Sequence, residues 1–387
     1  MTNQPSKYPL LPYSQLVYDM TRWMPGMYRF SFVLRWKDGA KEIERIENAF
    51  REAIANHPVF SSHVDCRGKQ YRVVLKNILR GPYHDVAFSA QGKDVIIRAS
   101  GSRILGDGKS MEILIEDIAH AYRGEKPERD DYWGYVEHYE QCKQEPHYLN
   151  SKAWLEHEFA DESVPVRPSI DRRRLTTLLP PKAGLFPDDY TDLAEALATL
   201  KETHHISFEG IFSLCAALAI AEYNGTEEAA LTWAYEGRET PNEQRVFGSL
   251  HRDVPFQISR KSKVESQKPA SREELIREAR NQIRSGIAHS DYPYTLTAPY
   301  NQRWNYAVNV LRITELEKSM EKMLLPVEVA EVPEQKYAYA LLDVEIHEKG
   351  PSLSLVYRYS ATHYKPESIR KFADLVRKFA EWLVEEV

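Results

Sequence analysis

Between Asp94 and Gly124 the hydrophobic pattern of this chain changes period, and no other stretch limits the fold as tightly. Asp94-Val95-Ile96-Ile97-Arg98-Ala99-Ser100 is a short, mostly apolar run that reads as a strand. Met111, Leu114, Ile115, Ile118 and Tyr122 then recur at helical spacing, and Arg123-Gly124 closes that helix with a cation and a glycine. The seven residues Ser102-Arg103-Ile104-Leu105-Gly106-Asp107-Gly108 therefore form a strand-to-helix turn carrying one acid and two glycines.

The rest of the chain alternates in the same manner. Pro12 to Leu16 opens a short helix with Ser14 as its expected N-cap. Tyr28, Phe30, Phe32, Leu34 and Trp36 alternate with Arg29, Ser31, Val33 and Arg35, the pattern of a half-buried strand. Ile43, Ile46, Phe50, Ala53 and Ile54 mark an amphipathic helix that Asn56-His57-Pro58 ends, because a proline restricts the residue before it. Residues 60–66 and 71–75 flank Arg67-Gly68-Lys69 as a hairpin, and 132–159 is helical and rich in tyrosine and tryptophan.

A proline-rich, aperiodic stretch at 163–182 predicts a linker between an N-terminal lobe (1–162) and a C-terminal lobe (183–387). Beyond it the spacing predicts helices near 191–203, 207–223, 272–288 and 366–384. Strands are predicted at 230–234, at one ending in Val254-Pro255-Phe256, and at 305–313, 337–347 and 353–359. Strands and helices are interspersed in both halves, so the fold class is α/β or α+β with mixed sheets.

Composition excludes several functions. The formal net charge is −6, whereas a nucleic-acid binder would carry a basic domain. The Arg172-Arg173-Arg174 cluster is short and reads as a solvated linker. Cys66, Cys142 and Cys215 are odd in number and widely spaced, which indicates neither a disulfide scaffold nor a zinc site and suits a reducing cytoplasm. His138, His147 and His157 lack zinc spacing, so no metal is expected. The N-terminus shows no secretory signal, and the apolar run 211–221 is too short to span a bilayer, so no membrane role is expected. There is no Gly-x-Ser-x-Gly elbow, phosphate loop, carrier-protein serine motif or adenylation motif.

At the 102–108 turn the sequence resembles the condensation domains of nonribosomal peptide synthetases, in the chloramphenicol-acetyltransferase-like superfamily. Their active-site motif is His-His-x-x-x-Asp-Gly between a strand and a helix. Asp107-Gly108 match it, but Ser102 and Arg103 stand at the two histidine positions. Further matches follow in order: the helix ending in His57-Pro58, Tyr122-Arg123-Gly124, Gly237-Arg238 with Phe247-Gly248 and Val254-Pro255, and His289-Ser290-Asp291-Tyr292-Pro293-Tyr294.

The resemblance implies two acetyltransferase-like lobes arranged as a V around a tunnel. There, thioesters on the phosphopantetheine arms of acyl or peptidyl carrier proteins would meet an acceptor. It implies that Asp107 is structural and pairs with Arg238, and that Gly108 lets backbone approach the reacting carbonyl. Ser102 and Gly237 would line the tunnel, and Arg103 would occupy the base position. A guanidinium there cannot accept a proton. The expected function is a free-standing condensation-domain-like protein of nonribosomal peptide or related secondary metabolism with lost or altered catalysis. It would bind no cofactor of its own, with carriers as partners in trans and, as for members with altered motifs, a recruited tailoring enzyme. The alternative is an active acyltransferase that forms an amide or ester from a carrier- or coenzyme-A-bound thioester by positioning and Arg103 electrostatics.

His204-His205-Ile206-Ser207-Phe208-Glu209-Gly210 comes close to the motif by letters alone. It precedes a long apolar helix rather than following a strand, and Ser207 is a natural N-cap there, so two loop histidines are the better reading.

Overall fold

The computed structural model describes residues 7–23, 27–172, 181–261, 268–294, 307–313, 316–332 and 336–385. In chain order its elements are β1 (Lys7–Pro9), α1 (Pro12–Trp23), β2 (Arg29–Trp36), α2 (Ile43–Asn56), β3 (Ser62–Val64), β4 (Lys69–Arg72), β5 (His84–Gln91), β6 (Asp94–Ser102), α3 (Gly108–Arg123), α4 (Tyr132–Cys142) and α5 (Pro146–Glu158). There follow β7 (Ala183–Asp189), α6 (Ala194–His204), α7 (Phe208–Asn224), β8 (Glu228–Tyr235), β9 (Arg252–Ser259), α8 (Arg272–Ala288), β10 (Val308–Arg312), α9 (Leu316–Lys322), β11 (Val327–Glu331), β12 (Leu342–Lys349), β13 (Ser352–Ser360) and α10 (Pro366–Val384). Parts of the predicted linker, of the arginine cluster and of the strand predicted at 305–313 lie outside the described residues.

The chain packs as two units, one of Met1–Gln144, Glu236–His251 and Thr314–Glu334, the other of Glu145–Tyr235, Arg252–Ile313 and Gln335–Val387. A single boundary at 163–182 was expected, but α5 already belongs to the second unit and two later segments return to the first. Pairing explains the returns. Strand β11 adds to the edge of the sheet beside β2, and 236–251 carries Arg238 and Arg245 to carboxylates on and just before α3.

In the first unit an antiparallel sheet of order β11-β2-β6-β5 is joined by a small sheet of order β1-β4-β3. The alternation read at 28–36 is β2, whose Leu34 and Trp36 are buried while Arg29, Ser31 and Arg35 are exposed. Helix α2 buries Ile46, Ala49, Phe50, Ala53 and Ile54, and it stops at His57 before Pro58. Ser14 is not an N-cap. It lies inside α1, and its hydroxyl donates to the Ile104 carbonyl (3.1 Å), tying that helix to the 102–108 turn.

The second unit is built on a six-stranded sheet, β7-β13-β12-β10-β8-β9, in which β10 runs parallel to β12 and β8 and the other pairs are antiparallel. Helices α7, α8 and α10 share one hydrophobic core with β8, β9, β10, β12 and β13. Helix α7 is apolar on all sides and buried from Phe208 to Ala221 apart from the half-buried Glu209, the pattern of a core helix rather than an amphipathic one. Among the described residues no single helix is long and apolar enough to cross a membrane. Strand β9 runs on past Phe256 to Ser259 and accommodates Pro255 because it is an edge strand. His204 and His205 end α6, the latter with φ 50°, and the Ser207 hydroxyl caps α7 by accepting from Gly210 N–H (3.2 Å).

Candidate functional site

Asp107 is the first residue past β6 whose side chain organises the turn. It N-caps α3 in a capping box: its Oδ1 accepts from Ser110 N–H (3.0 Å), and Asp107 N–H donates to Ser110 Oγ (3.3 Å). The same carboxylate takes a bidentate guanidinium, Arg238 Nη2 on Oδ1 (3.0 Å) and Nη1 on Oδ2 (2.9 Å). The backbone N–H groups of Leu250 (2.9 Å) and His251 (3.0 Å) donate to Oδ2 as well. The Asp107 side chain is 5% exposed and that of Arg238 is fully buried. Burial alone would raise the carboxyl pKa. The charge and hydrogen bonds of Arg238, the field of His251 and the Ser110 N–H outweigh it and hold Asp107 below the usual carboxylate range.

Arg238 reaches Asp107 from a loop shaped for it. Gly237, buried, has φ 66°, a backbone conformation that a side chain would strain. Arg238 Nη2 also donates to the carbonyls of Val246 (3.2 Å) and Gly248 (3.1 Å), and Nη1 to that of Glu236 (3.2 Å). Ser110 Oγ lies 2.8 Å from the Gly248 carbonyl and accepts from the Gly248 N–H (3.1 Å). Gly106 is required by packing, because a Cβ there would lie 2.7 Å from Ser110 Cβ and 3.0 Å from Phe247. All these groups belong to the first unit. The expected Asp107–Arg238 pair is therefore present, but Arg238 packs with the first unit and not with a C-terminal lobe.

The two positions that differ from the family motif are backbone-locked. Ser102 is buried, its N–H donates to the Tyr83 carbonyl (2.8 Å), and its hydroxyl turns back to accept from Ile104 N–H (3.3 Å). Arg103 N–H donates to the Tyr28 carbonyl (2.7 Å), and its carbonyl accepts from Ser249 Oγ (2.8 Å), while its side chain is half-buried. Gly108, the first helical residue, is exposed. Tyr13 of α1 meets the ring of His251 edge-on, with centroids 3.8 Å apart.

The sequence did not single out Ser110, the Leu250 and His251 amides, or a buried charge cluster just behind the frame. In that cluster His57 lies between Asp117 and Asp130, and Arg245 Nη2 bonds Asp117 Oδ1 at 2.7 Å. Ser110 had a signal, being three residues after an acid at a helix start. The amides had none, because backbone donors leave no side-chain signature. Among the described residues no group of three or more His, Cys, Asp or Glu could hold a metal ion.

A family model for the condensation domain matches residues 104–386. A nonribosomal peptide synthetase 5 of Gibberella zeae is 24% identical over 164 residues, which is 41% of this chain and 1% of that protein. The chain thus spans only a small fraction of that relative. Among solved structures, the epimerization domain from the third module of tyrocidine synthetase B has a TM-score of 0.76 at 15% identity, over 99% of this chain and 98% of that one. The cyclization-docking bidomain of a synthetase from Sorangium cellulosum gives 0.75 at 14% identity, over 99% and 86%. The X-domain from teicoplanin biosynthesis, in complex with OxyB, gives 0.74 at 15% identity, over 100% and 94%. At these identities the likeness establishes the fold, the mixed α/β arrangement of the chloramphenicol-acetyltransferase-like kind.

Proposed function

This chain belongs to the condensation-domain family, and from that membership we propose that it acts on acyl or aminoacyl thioesters held on carrier proteins, in nonribosomal-peptide-type metabolism, with its catalysis lost or altered. One observation carries the reading. The frame of the active-site turn is fully built around Asp107, yet the proton-accepting position is a guanidinium, Arg103, and its neighbour Ser102 spends its hydroxyl on the turn itself.

Such a domain keeps its shape and its docking surfaces while losing its general base. Its substrates are phosphopantetheine-linked and arrive on carriers in trans, in the cytoplasm, and it needs no cofactor of its own. A recruited tailoring enzyme is a second class of partner, a reading prompted by the teicoplanin X-domain, a fold relative that has been solved with OxyB. Arg103 would then hold a phosphate or carboxylate, or block the path of a substrate arm.

The alternative, an active acyltransferase, has a physical basis too. An amine needs little base assistance, so positioning supplies much of the acceleration, and a fixed guanidinium would stabilise the oxyanion of the tetrahedral intermediate.

A single-turnover assay with loaded carrier proteins, run on the wild type, Arg103→His and Arg103→Ala, separates the two. The expected result is carrier binding by all three with wild-type turnover at background. Robust wild-type turnover that Arg103→Ala abolishes would make Arg103 an electrostatic catalyst and overturn the docking reading. Absence of any carrier or thioester binding would sink both.

A further inference from the structure

Behind the turn frame, fully buried in the first unit, the imidazole of His57 is held between two carboxylates that are themselves fully buried: Nδ1 lies 2.9 Å from Asp130 Oδ2 and Nε2 lies 3.1 Å from Asp117 Oδ2. A neutral imidazole has one N–H and one lone pair, so one of the two carboxylates would face a lone pair. Only the imidazolium offers a donor to both. The surroundings supply the remaining charges. Asp117 also accepts from Asn56 Nδ2 (2.8 Å) and from Arg245 Nη2 (2.7 Å), and Arg245 reaches Glu116 (3.0 Å) and Glu128 (3.4 Å).

His57 and its partner Asp130 hold residue 247 from two sides. The Phe247 ring lies 4.8 Å from the His57 ring at 32°, and the Phe247 N–H donates to Asp130 Oδ2 (3.3 Å), the oxygen that His57 Nδ1 faces. On either side of Phe247 stand the Val246 and Gly248 carbonyls that receive Arg238 Nη2. The Phe60 ring, 4.8 Å from Phe247, closes the packing, and burial lowers the pKa of its neighbour His84.

We propose that His57 is a positioning residue for the active-site turn: as an imidazolium hydrogen-bonded to Asp130 and ion-paired with Asp117 it fixes Phe247, and through the carbonyls beside Phe247 it sets the Arg238 guanidinium that holds Asp107. The proposal deepens the reading of the 102–108 turn as the functional site, but its structural arms can be measured without substrate.

The charge balance favours this state. Burial opposes the His57 charge, but Asp117 and Asp130 outweigh it and raise the imidazole pKa. Burial likewise opposes ionisation of Asp117, yet His57, Asn56 and Arg245 hold it below the carboxylate range. Burial wins at Asp130, whose carboxyl is pushed up, so Asp117 is the firm counter-ion and Asp130 the softer one. The groups facing His57 are thus Asp117 and the more distant Glu116 from α3, Asp130 and Glu128 from the connector after it, and Arg245 from the 236–251 segment. The sign follows. A raised folded pKa gives a contribution fully present below the ordinary histidine value, which is lost as pH rises through the folded value.

The test is nitrogen-15 NMR of the imidazole in the intact protein, with amide signals of Phe247 and Gly248 followed across pH. Both ring N–H protons of His57 are expected to persist above pH 6.5, the ordinary histidine value. The two amides should shift with the same midpoint. Asp130→Asn, which keeps the side-chain shape, should lower that midpoint by about one pH unit, a tenfold loss of proton affinity. A neutral His57 ring at pH 6.5, or amides of 247 and 248 that ignore its titration, would overturn the proposal. His57→Gln should abolish the pH-dependent shift of both amides, and if that variant fails to fold, the Asp130→Asn midpoint still decides. Coupled amides in a protein that binds no carrier or thioester would instead keep the clamp and remove the functional reading of the turn.

Discussion

Asp107 accepts four hydrogen bonds, from Arg238, Leu250 and His251, besides those of its own helix cap, and the consequences of altering it follow from burial. Asp107→Asn removes the charge and leaves Arg238 buried without a counter-ion, so stability should fall by about 3–5 kcal/mol in urea unfolding. A loss below about 1 kcal/mol would show that the pair is not the organising contact. The pH sign is opposite to that of His57: the Asp107 pKa is held below 3.8, so its contribution is present above that value and is lost as pH falls through the folded one. The acid limb of the stability profile should flatten in the variant. At this scale the sequence was legible where the family resemblance marks a side chain, as with Asp107 and Gly237-Arg238. It was illegible where the partner is a backbone amide, as at Leu250 and His251, or where a polar side chain serves a distant carbonyl, as with Ser14 on Ile104.

Elements with caps and a clear apolar face could be read almost to the residue. Helix α8 spans Arg272–Ala288 as its periodicity predicts, starting from a capping box in which Ser271 Oγ accepts from Glu274 N–H (3.2 Å) and Glu274 Oε2 accepts from Ser271 N–H (2.8 Å). Ser271→Ala should lower stability by about 1 kcal/mol, visible as a lower melting temperature, while carrier binding is unchanged. An unaltered melting temperature would mean that tertiary packing alone fixes that end. Gly237→Ala forces a side chain into φ 66° and should cost about 1–2 kcal/mol while displacing Arg238. Loss of bidentate contact in the variant's structure is the check. Strands β5 and β11 escaped the sequence reading for a physical reason. Both are sheet edges, mostly half-buried or exposed along their length, so neither shows the alternation that β2 does. Helix α9, with one buried residue, Met320, gave no stripe to detect.

The whole molecule departs most from what its sequence suggested, because a linear chain with one proline-rich stretch invites one cut. Packing instead alternates, with three segments in each unit. A fragment of residues 1–162 would contain Asp107 and Asp117 but lack Arg238, Arg245 and β11, so it should show no cooperative thermal transition by circular dichroism. A sharp melt from that fragment would show that the later segments are dispensable to the first unit. The alternation also has a consequence in time. Arg238 lies 131 residues after Asp107. At roughly 5–20 residues per second of synthesis, it leaves the ribosome on the order of 7–26 s later. For that interval the nascent chain carries an acidic turn with no counter-ion to close on. The unit begun first therefore has to wait, open to chaperones and proteases, until Glu331 has emerged.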